Sequence, residues 1–185
     1  MNIKIYGDGA DINEMINAYN EGIVSGFTTN PTLMKKSGIT DYLGFAKDAL
    51  SEIRDMPISF EVFSDDINEM EVQALKLRDL GENVYVKIPV TNTKRDTTYN
   101  LIETLTSNGV KVNVTAIFTE EQIKNVASSI LNKTPSVISI FAGRIANTGI
   151  DPEPIMRYAV DITKESPEKE ILWASPREAL NIVQA

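Results

Sequence analysis

Apolar residues gather into short runs that recur along the whole chain: "IKIY", "GIVSGFT", "PISFEVF", "NVYVKIP", "VKVNVTAIF", "SVISIFA" and "EILWAS". Their length and their β-branched and aromatic content predict strands buried on both faces. Between the runs, apolar residues repeat at helical period over residues 11–21, 40–54, 66–79, 94–107, 120–132, 152–165 and 177–184. Start signals accompany these predicted helices. Thr119 with Gln122 and Ser175 with Glu178 stand at capping-box spacing, Asp11 reads as a cap, and Asn30-Pro31, Asp151-Pro152 and Ser175-Pro176 each set a cap before a proline.

Strict alternation of strand and helix with short connections predicts a parallel sheet covered by helices. No glycine-rich nucleotide loop follows any strand, which favours a closed arrangement over a doubly wound sheet. The expectation is a single α/β domain over residues 1–185: a TIM-type (β/α)8 parallel barrel of which seven βα units are evident. The eighth unit and further C-terminal helices are expected to be missing, which leaves two strand edges unpaired.

Within this frame "ENVYVKIPVT" is unusual, because a predicted buried strand carries Lys87 near its end. Side chains alternate faces along a strand, so Lys87 shares a face with Tyr85 while Val84, Val86 and Ile88 point the other way. The last positions of the same parity in the other strands are Asp8, Glu61, Thr115, Ser139 and Ser175, set among apolar residues such as Ile58, Phe60, Val112, Val114, Ile138 and Ile140. Each has an ordinary structural reading. Lys87 can pair with Glu61, Asp8 can cap a turn, Asn30 and Ser175 can cap helices, and arginines can sit in solvent. Their convergence on one rim is what points to function, since βα barrels carry their active sites at the C-terminal ends of the strands.

Composition then narrows the chemistry. The 185 residues include no cysteine and no histidine, which excludes disulfides, thiolate nucleophiles, Ser/His/Asp catalysis and His- or Cys-ligated metals. Hydrophobic residues make up 42% and charged residues 24%, enough for an ordinary core. A net charge of −8 argues against nucleic acid as a partner, yet leaves room for a phosphorylated small molecule held by a local arginine cluster. No apolar run reaches the roughly 18 residues of a membrane span and the N-terminus is unlike a signal peptide, so no membrane partner and a cytoplasmic location are expected.

Desolvation favours a neutral amine, which adds to a carbonyl and forms a Schiff base. Without histidine, proton transfers fall to carboxylates and water, with Asp8 and Glu61 as candidates. Arg144 and Arg177, each just after a strand end, are placed to clamp a phosphate. Together these groups predict a metal-independent reaction, needing no cofactor, on a phosphorylated ketose.

"GFTTNPTLM", "VYVKIPVT", "NVTAIFT", "SIFAGRI" and "ILWASPRE" resemble, in order and spacing, the strand-end motifs of the transaldolase family, in particular its short bacterial branch that includes fructose-6-phosphate aldolases. The resemblance runs from Asp8 to Ala185. It implies that Lys87 is the Schiff-base lysine, that Asp8 is the acid/base for the C3–C4 bond, and that Glu61 and Thr115 hold the water that shuttles protons. It further implies that Asn30 and Ser139 orient the hydroxyls of a dihydroxyacetone unit, with Thr28 nearby, and that Arg144, Ser175 and Arg177 bind phosphate. Aldolases of this group carry glutamine in place of Glu61 and tyrosine in place of Phe141, so the pair found here resembles the transaldolase pattern.

The chain departs from the family where "YGDG" replaces the common "LDT" and where Trp173 replaces a small residue. Sharing the parity of Ser175, Trp173 is expected to narrow the pocket. The short branch forms rings, so a homo-oligomer is a possible partner. The competing readings are an aldolase releasing free dihydroxyacetone, a non-catalytic sugar-phosphate binding protein, and an isomerase with Glu61 as its base.

Overall fold

The computed structural model describes residues 3–185. Its strands β1 (Tyr6–Asp8), β2 (Gly26–Thr28), β3 (Ile58–Glu61), β4 (Val84–Pro89), β5 (Val112–Ile117), β6 (Ser136–Ile140) and β7 (Lys169–Trp173) form one parallel sheet in sequential order. Helices α1 (Ile12–Glu21), α2 (Pro31–Lys36), α3 (Tyr42–Glu52), α4 (Ile67–Arg78), α5 (Tyr99–Ser107), α6 (Glu120–Ser129), α7 (Ala142–Ala146), α8 (Glu153–Thr163) and α9 (Leu180–Gln184) occupy the connections and the C-terminal end. This is the expected TIM-type α/β architecture, in an open seven-stranded form.

Side-chain contacts show how far the sheet curls. In a flat sheet, strands two places apart stand roughly 9.5 Å from each other. Here Asn113 of β5 donates to Ser59 Oγ of β3 at 3.0 Å, and Lys87 of β4 donates to the Thr29 carbonyl, just past β2, at 3.1 Å. The two edge strands are also tied together. Lys4, ahead of β1, pairs with Glu170 of β7.

The apolar core lies outside the curl, between sheet and helices. Ile58, Phe60, Val86, Ile88, Val112, Val114, Ile138 and Ile140 are buried there against Phe45, Met70, Ile102, Ile123, Val126 and Met156. Each such side chain contributes on the order of 1.5–3 kcal/mol by leaving water. The inner face carries Ser59, Glu61, Lys87, Asn113, Thr115 and Ser139 instead. Strand alternation thus separates stability from polar chemistry residue by residue.

Helix starts agree with several sequence signals and correct others. Asp11 caps α1 through Asn13 and Glu14, Asn30 caps α2 through Leu33, and Thr119 with Gln122 forms a reciprocal capping box on α6. Asp151 accepts from Glu153 N at 3.0 Å, but the helix starts after Pro152 rather than at it. The helix expected from residue 94 begins at Tyr99, because Asn92 Oδ1 accepts from Lys94 N and Asp96 N and closes a tight turn with Arg95 at φ 72°.

The cap expected at Ser175 is not formed. Ser175 takes φ 59°, and the backbone N–H groups of Arg177 and Glu178 donate instead to Asn181 Oδ1, at 2.8 and 3.2 Å. As a result α9 begins at Leu180 rather than 177. Trp173 also differs from expectation. It pairs with Ile140, whereas Leu172 pairs with Ser139, so the indole takes the helix-facing parity and packs against the outer core instead of narrowing the inner face.

Candidate active site

Register alone brings the first group together. Glu61 lies beside Lys87 in the β3–β4 pairing, and Lys87 lies beside Asn113 in the β4–β5 pairing. Lys87 is 8% exposed. Its Nζ stands 3.3 Å from Glu61 Oε2 and donates to the Thr29 carbonyl at 3.1 Å. At the end of β1, Asp8 accepts from the Thr28 hydroxyl at 2.9 Å rather than capping a turn. Four of the expected residues, Asp8, Thr28, Glu61 and Lys87, therefore share one corner of the rim.

The electrostatics of that corner favour proton exchange. Burial holds the Glu61 carboxyl above the usual glutamate range, the charge and hydrogen bond of Lys87 pull it down, and the charge of Asp8 adds to the rise. A carboxyl raised in this way is a stronger proton acceptor than an ordinary glutamate, which suits it to proton exchange.

Next along the inner face, Ser139 donates to Asn113 Oδ1 at 2.7 Å and Asn113 Nδ2 donates to Ser59 Oγ at 3.0 Å. This chain fixes which way the Asn113 amide points. Thr115, two residues on, has a buried hydroxyl with no hydrogen-bond partner among the described residues. Such a group is costly unless something bonds it, which makes it a ready contact for water or a substrate hydroxyl. Ala116 follows at φ 61°, at an irregularity in the β5–β6 ladder that turns the strand end. Asn30 spends its side-chain oxygen on the α2 cap, accepting from Leu33 N at 3.0 Å.

A second corner lies past β6 and β7. Phe141 opens α7, packs edge-on against Phe118 at 5.5 Å, and has the Arg144 guanidinium over its ring at 5.6 Å. Gly143 is required by close approach, since a Cβ there would sit 1.6 Å from the Ser175 carbonyl and 3.4 Å from the Arg177 stem. With the Asn147 amide turned to donate to the Gly143 carbonyl, its oxygen accepts from Arg177 at 3.1 Å. Arg144, Ser175 and Arg177 thus border one small region, with both arginines exposed. Among the described residues no group of three or more acidic side chains gathers to hold a metal ion.

Sequence reasoning missed Thr29, Ser59, Asn113 and Tyr42. Ser59 and Asn113 share the parity of Glu61 and Thr115, two residues earlier, so carrying the alternation one step further down each strand finds them. Thr29 acts through its carbonyl, which side-chain patterns do not report. Tyr42 lies on α3 and reaches the Glu61 carbonyl at 2.8 Å through tertiary packing.

Comparison with known proteins agrees with this geometry. A family model described as Transaldolase/Fructose-6-phosphate aldolase matches residues 5–185. Curated relatives include a "Probable transaldolase" of Thermoanaerobacter sp. (strain X514), 33% identical over 99% of this chain and 81% of the relative. Another, from Nitrosopumilus maritimus (strain SCM1), carries the same description and is 35% identical over 99% of this chain and 79% of its own length. A third, from Clostridioides difficile (strain 630), is 33% identical over 99% and 81%. With the motifs in register on a parallel βα sheet and matched along nearly its whole length, the chain belongs to the transaldolase/fructose-6-phosphate aldolase family.

Proposed function

We propose that this protein is a transaldolase, moving a dihydroxyacetone unit from a ketose phosphate, such as fructose 6-phosphate or sedoheptulose 7-phosphate, to an aldose phosphate through a Schiff base on Lys87. The observation that carries the reading is the Lys87 amine, buried at a strand end between a carbonyl and the Glu61 carboxylate. A structural lysine at that depth needs one partner; this one has two and shares its rim with Asp8 and with the Thr115 hydroxyl, unpartnered among the described residues.

The residues divide the work. Glu61, through a water also bonded by Thr115, takes the proton the Lys87 amine loses as it adds to C2 and later assists loss of water to give the imine. Asp8 accepts the C4 hydroxyl proton as the C3–C4 bond breaks, and the bond electrons pass into the iminium to form an enamine. The aldehyde departs. The enamine then attacks the carbonyl carbon of the acceptor aldose phosphate, Asp8 returns its proton to the developing alkoxide to give the new hydroxyl, and water returns the imine to ketone and free amine. Asn30 and Ser139, with Thr28, orient the three-carbon unit, while Arg144, Ser175 and Arg177 hold the phosphate in the second corner. The reaction needs no cofactor and draws on cytoplasmic sugar phosphates.

Phe141 supports transfer over simple cleavage, because a phenyl ring offers no proton to the enamine. Borohydride trapping with fructose 6-phosphate, read by intact mass and peptide mapping, tests the assignment. Wild type is expected to carry a reduced adduct on Lys87 and the folded Lys87→Met variant none. An unmodified wild-type chain overturns the reading, and free dihydroxyacetone formed at full rate without acceptor replaces it with an aldolase.

A further inference from the structure

Lys87 is held from two directions, and the two holders belong to strands that part company just where they are needed. The β2–β3 pairing runs through Phe27 with Ile58 and Thr28 with Ser59, followed by one further bond from Thr29 N to the Ser59 carbonyl at 3.0 Å. Beyond it the chain after β2 turns into α2, while Phe60 and Glu61 continue along β4. Thr29 supplies the carbonyl and Glu61 the carboxylate that touch the amine. No ladder bond joins them across that gap among the described residues.

Tyr42 packs beside it. The residue opens α3 directly after its Asp41 cap, whose carboxylate accepts from Gly44 N at 2.9 Å and fixes the first turn. Its ring is wedged edge-on between Phe60, at 6.2 Å, and Phe63, at 4.4 Å. Its hydroxyl donates to the Glu61 carbonyl at 2.8 Å, beside the Thr29 hydroxyl, which itself donates to the Ser59 carbonyl at 2.9 Å. The phenol therefore holds the end of β3, the segment that carries the Glu61 carboxylate, by one hydrogen bond and two ring contacts.

We infer that Tyr42 is a positioning residue for the Lys87 amine, its hydroxyl fixing the end of β3 at the spacing that sets the Glu61 carboxylate against Nζ, opposite the Thr29 carbonyl. The phenol suits a permanent brace. Burial first, and then the nearby Glu61 charge, push its ionisation far above the ordinary tyrosine range, so it remains a donor throughout the working pH range. The inference rests on the Schiff-base role of Lys87 and adds a residue to it.

Tyr42→Phe keeps the ring, hence the contacts with Phe60 and Phe63, and removes the brace alone. Its expected effect is a slower imine-trapping rate with ketose phosphate, by about tenfold given what small misplacements cost a reacting group, with KM nearly unchanged because the phosphate corner is untouched. The pH profile is the second readout. The titratable groups facing Glu61 are Lys87 on β4 and Asp8 on β1, besides the phenol on α3. When Lys87 drifts from Glu61, the interaction that pulls the carboxyl down weakens, so the acid limb of trapping moves to higher pH.

A wild-type trapping rate and pH profile in folded Tyr42→Phe would overturn the inference. So would a slower rate that follows a lower melting temperature, recovers on cooling, and leaves the pH profile unmoved. Wild type is run beside it: an adduct there with no Tyr42 effect rejects the brace alone, whereas no adduct in wild type rejects the Schiff base itself.

Discussion

The two corners of the rim are built on opposite principles. Around Lys87 the groups come from strand ends and already contact one another, with Lys87 and Thr28 buried, Glu61 half-buried and Asp8 exposed at the rim. Around Arg144 and Arg177 they come from a five-residue helix and a loop, and both guanidinium groups are exposed. The difference matches two tasks. Proton and carbon–carbon bond chemistry gains from a dry, preorganised setting, whereas a phosphate arrives with its own charge and needs donors that can close on it.

Removing the amine gives the largest expected effect. Lys87→Met loses all adduct formation and transfer, and it also exposes what the amine does for its neighbour. Without the charge and hydrogen bond that lower it, the Glu61 carboxyl rises further above its ordinary value. A carboxyl whose folded-state value is raised keeps its proton when the unfolded chain has lost it, so stability falls as pH rises through that window. The thermal midpoint of Lys87→Met relative to wild type is therefore expected to drop from acidic to neutral pH. A pH-independent difference between the two would break the coupling between Lys87 and Glu61.

The second corner yields smaller, separable losses. Arg144→Ala and Arg177→Ala are each expected to reduce kcat/KM for a phosphorylated donor on the order of 10- to 100-fold, the span of a lost hydrogen bond to a charged group. Trapping of unphosphorylated dihydroxyacetone on Lys87 should hardly change. Equal loss with both ligands would erase the division between the corners.

Gly143→Ala sharpens the comparison without touching a charge. The added methyl collides with the Ser175 carbonyl, backbone that can yield only by moving the loop. Overpacking of this kind costs about 1–3 kcal/mol. Thermal melts should show that loss together with a raised KM for phosphorylated donor, while the trapping rate at saturation stays near wild type. A variant as stable as wild type would mean that α7 and the Ser175 loop are not packed as described.

The same contrast explains what the sequence made legible. Parity along "NVYVKIP" and "SFEVF" places Lys87 and Glu61 on one face, because a strand repeats every two residues and its register is fixed by burial of the other face. The order of strands and the outer core follow from the same pattern. Ser175 was misread, since serine before proline signals a cap, yet Asn181 supplies that acceptor from within the following helix and leaves Ser175 at φ 59°. Trp173 was misread for a related reason: parity was counted back from Ser175 through a segment that has already left the strand. Tyr42 and the Thr29 carbonyl were invisible because their contacts join elements far apart in sequence, one of them through backbone. Strand-built features are thus readable locally, and loop-built or tertiary ones are not.

The smallest expected effect lies where the two corners meet. Phe141 stands under the Arg144 guanidinium and against Phe118, at the end of the strand that also carries Ser139. Phe141→Tyr retains the ring and its edge-on packing while adding a hydroxyl, which can protonate the enamine if the ring edge faces the three-carbon unit. The expected outcome is a few-fold rise in free dihydroxyacetone released per ketose phosphate consumed, with the Lys87 adduct still formed and the melting temperature close to wild type. The measurement is the partition ratio at fixed acceptor concentration. An unchanged ratio would place Phe141 wholly with the phosphate corner, as the platform for Arg144, and would leave the preference for transfer to rest on Glu61.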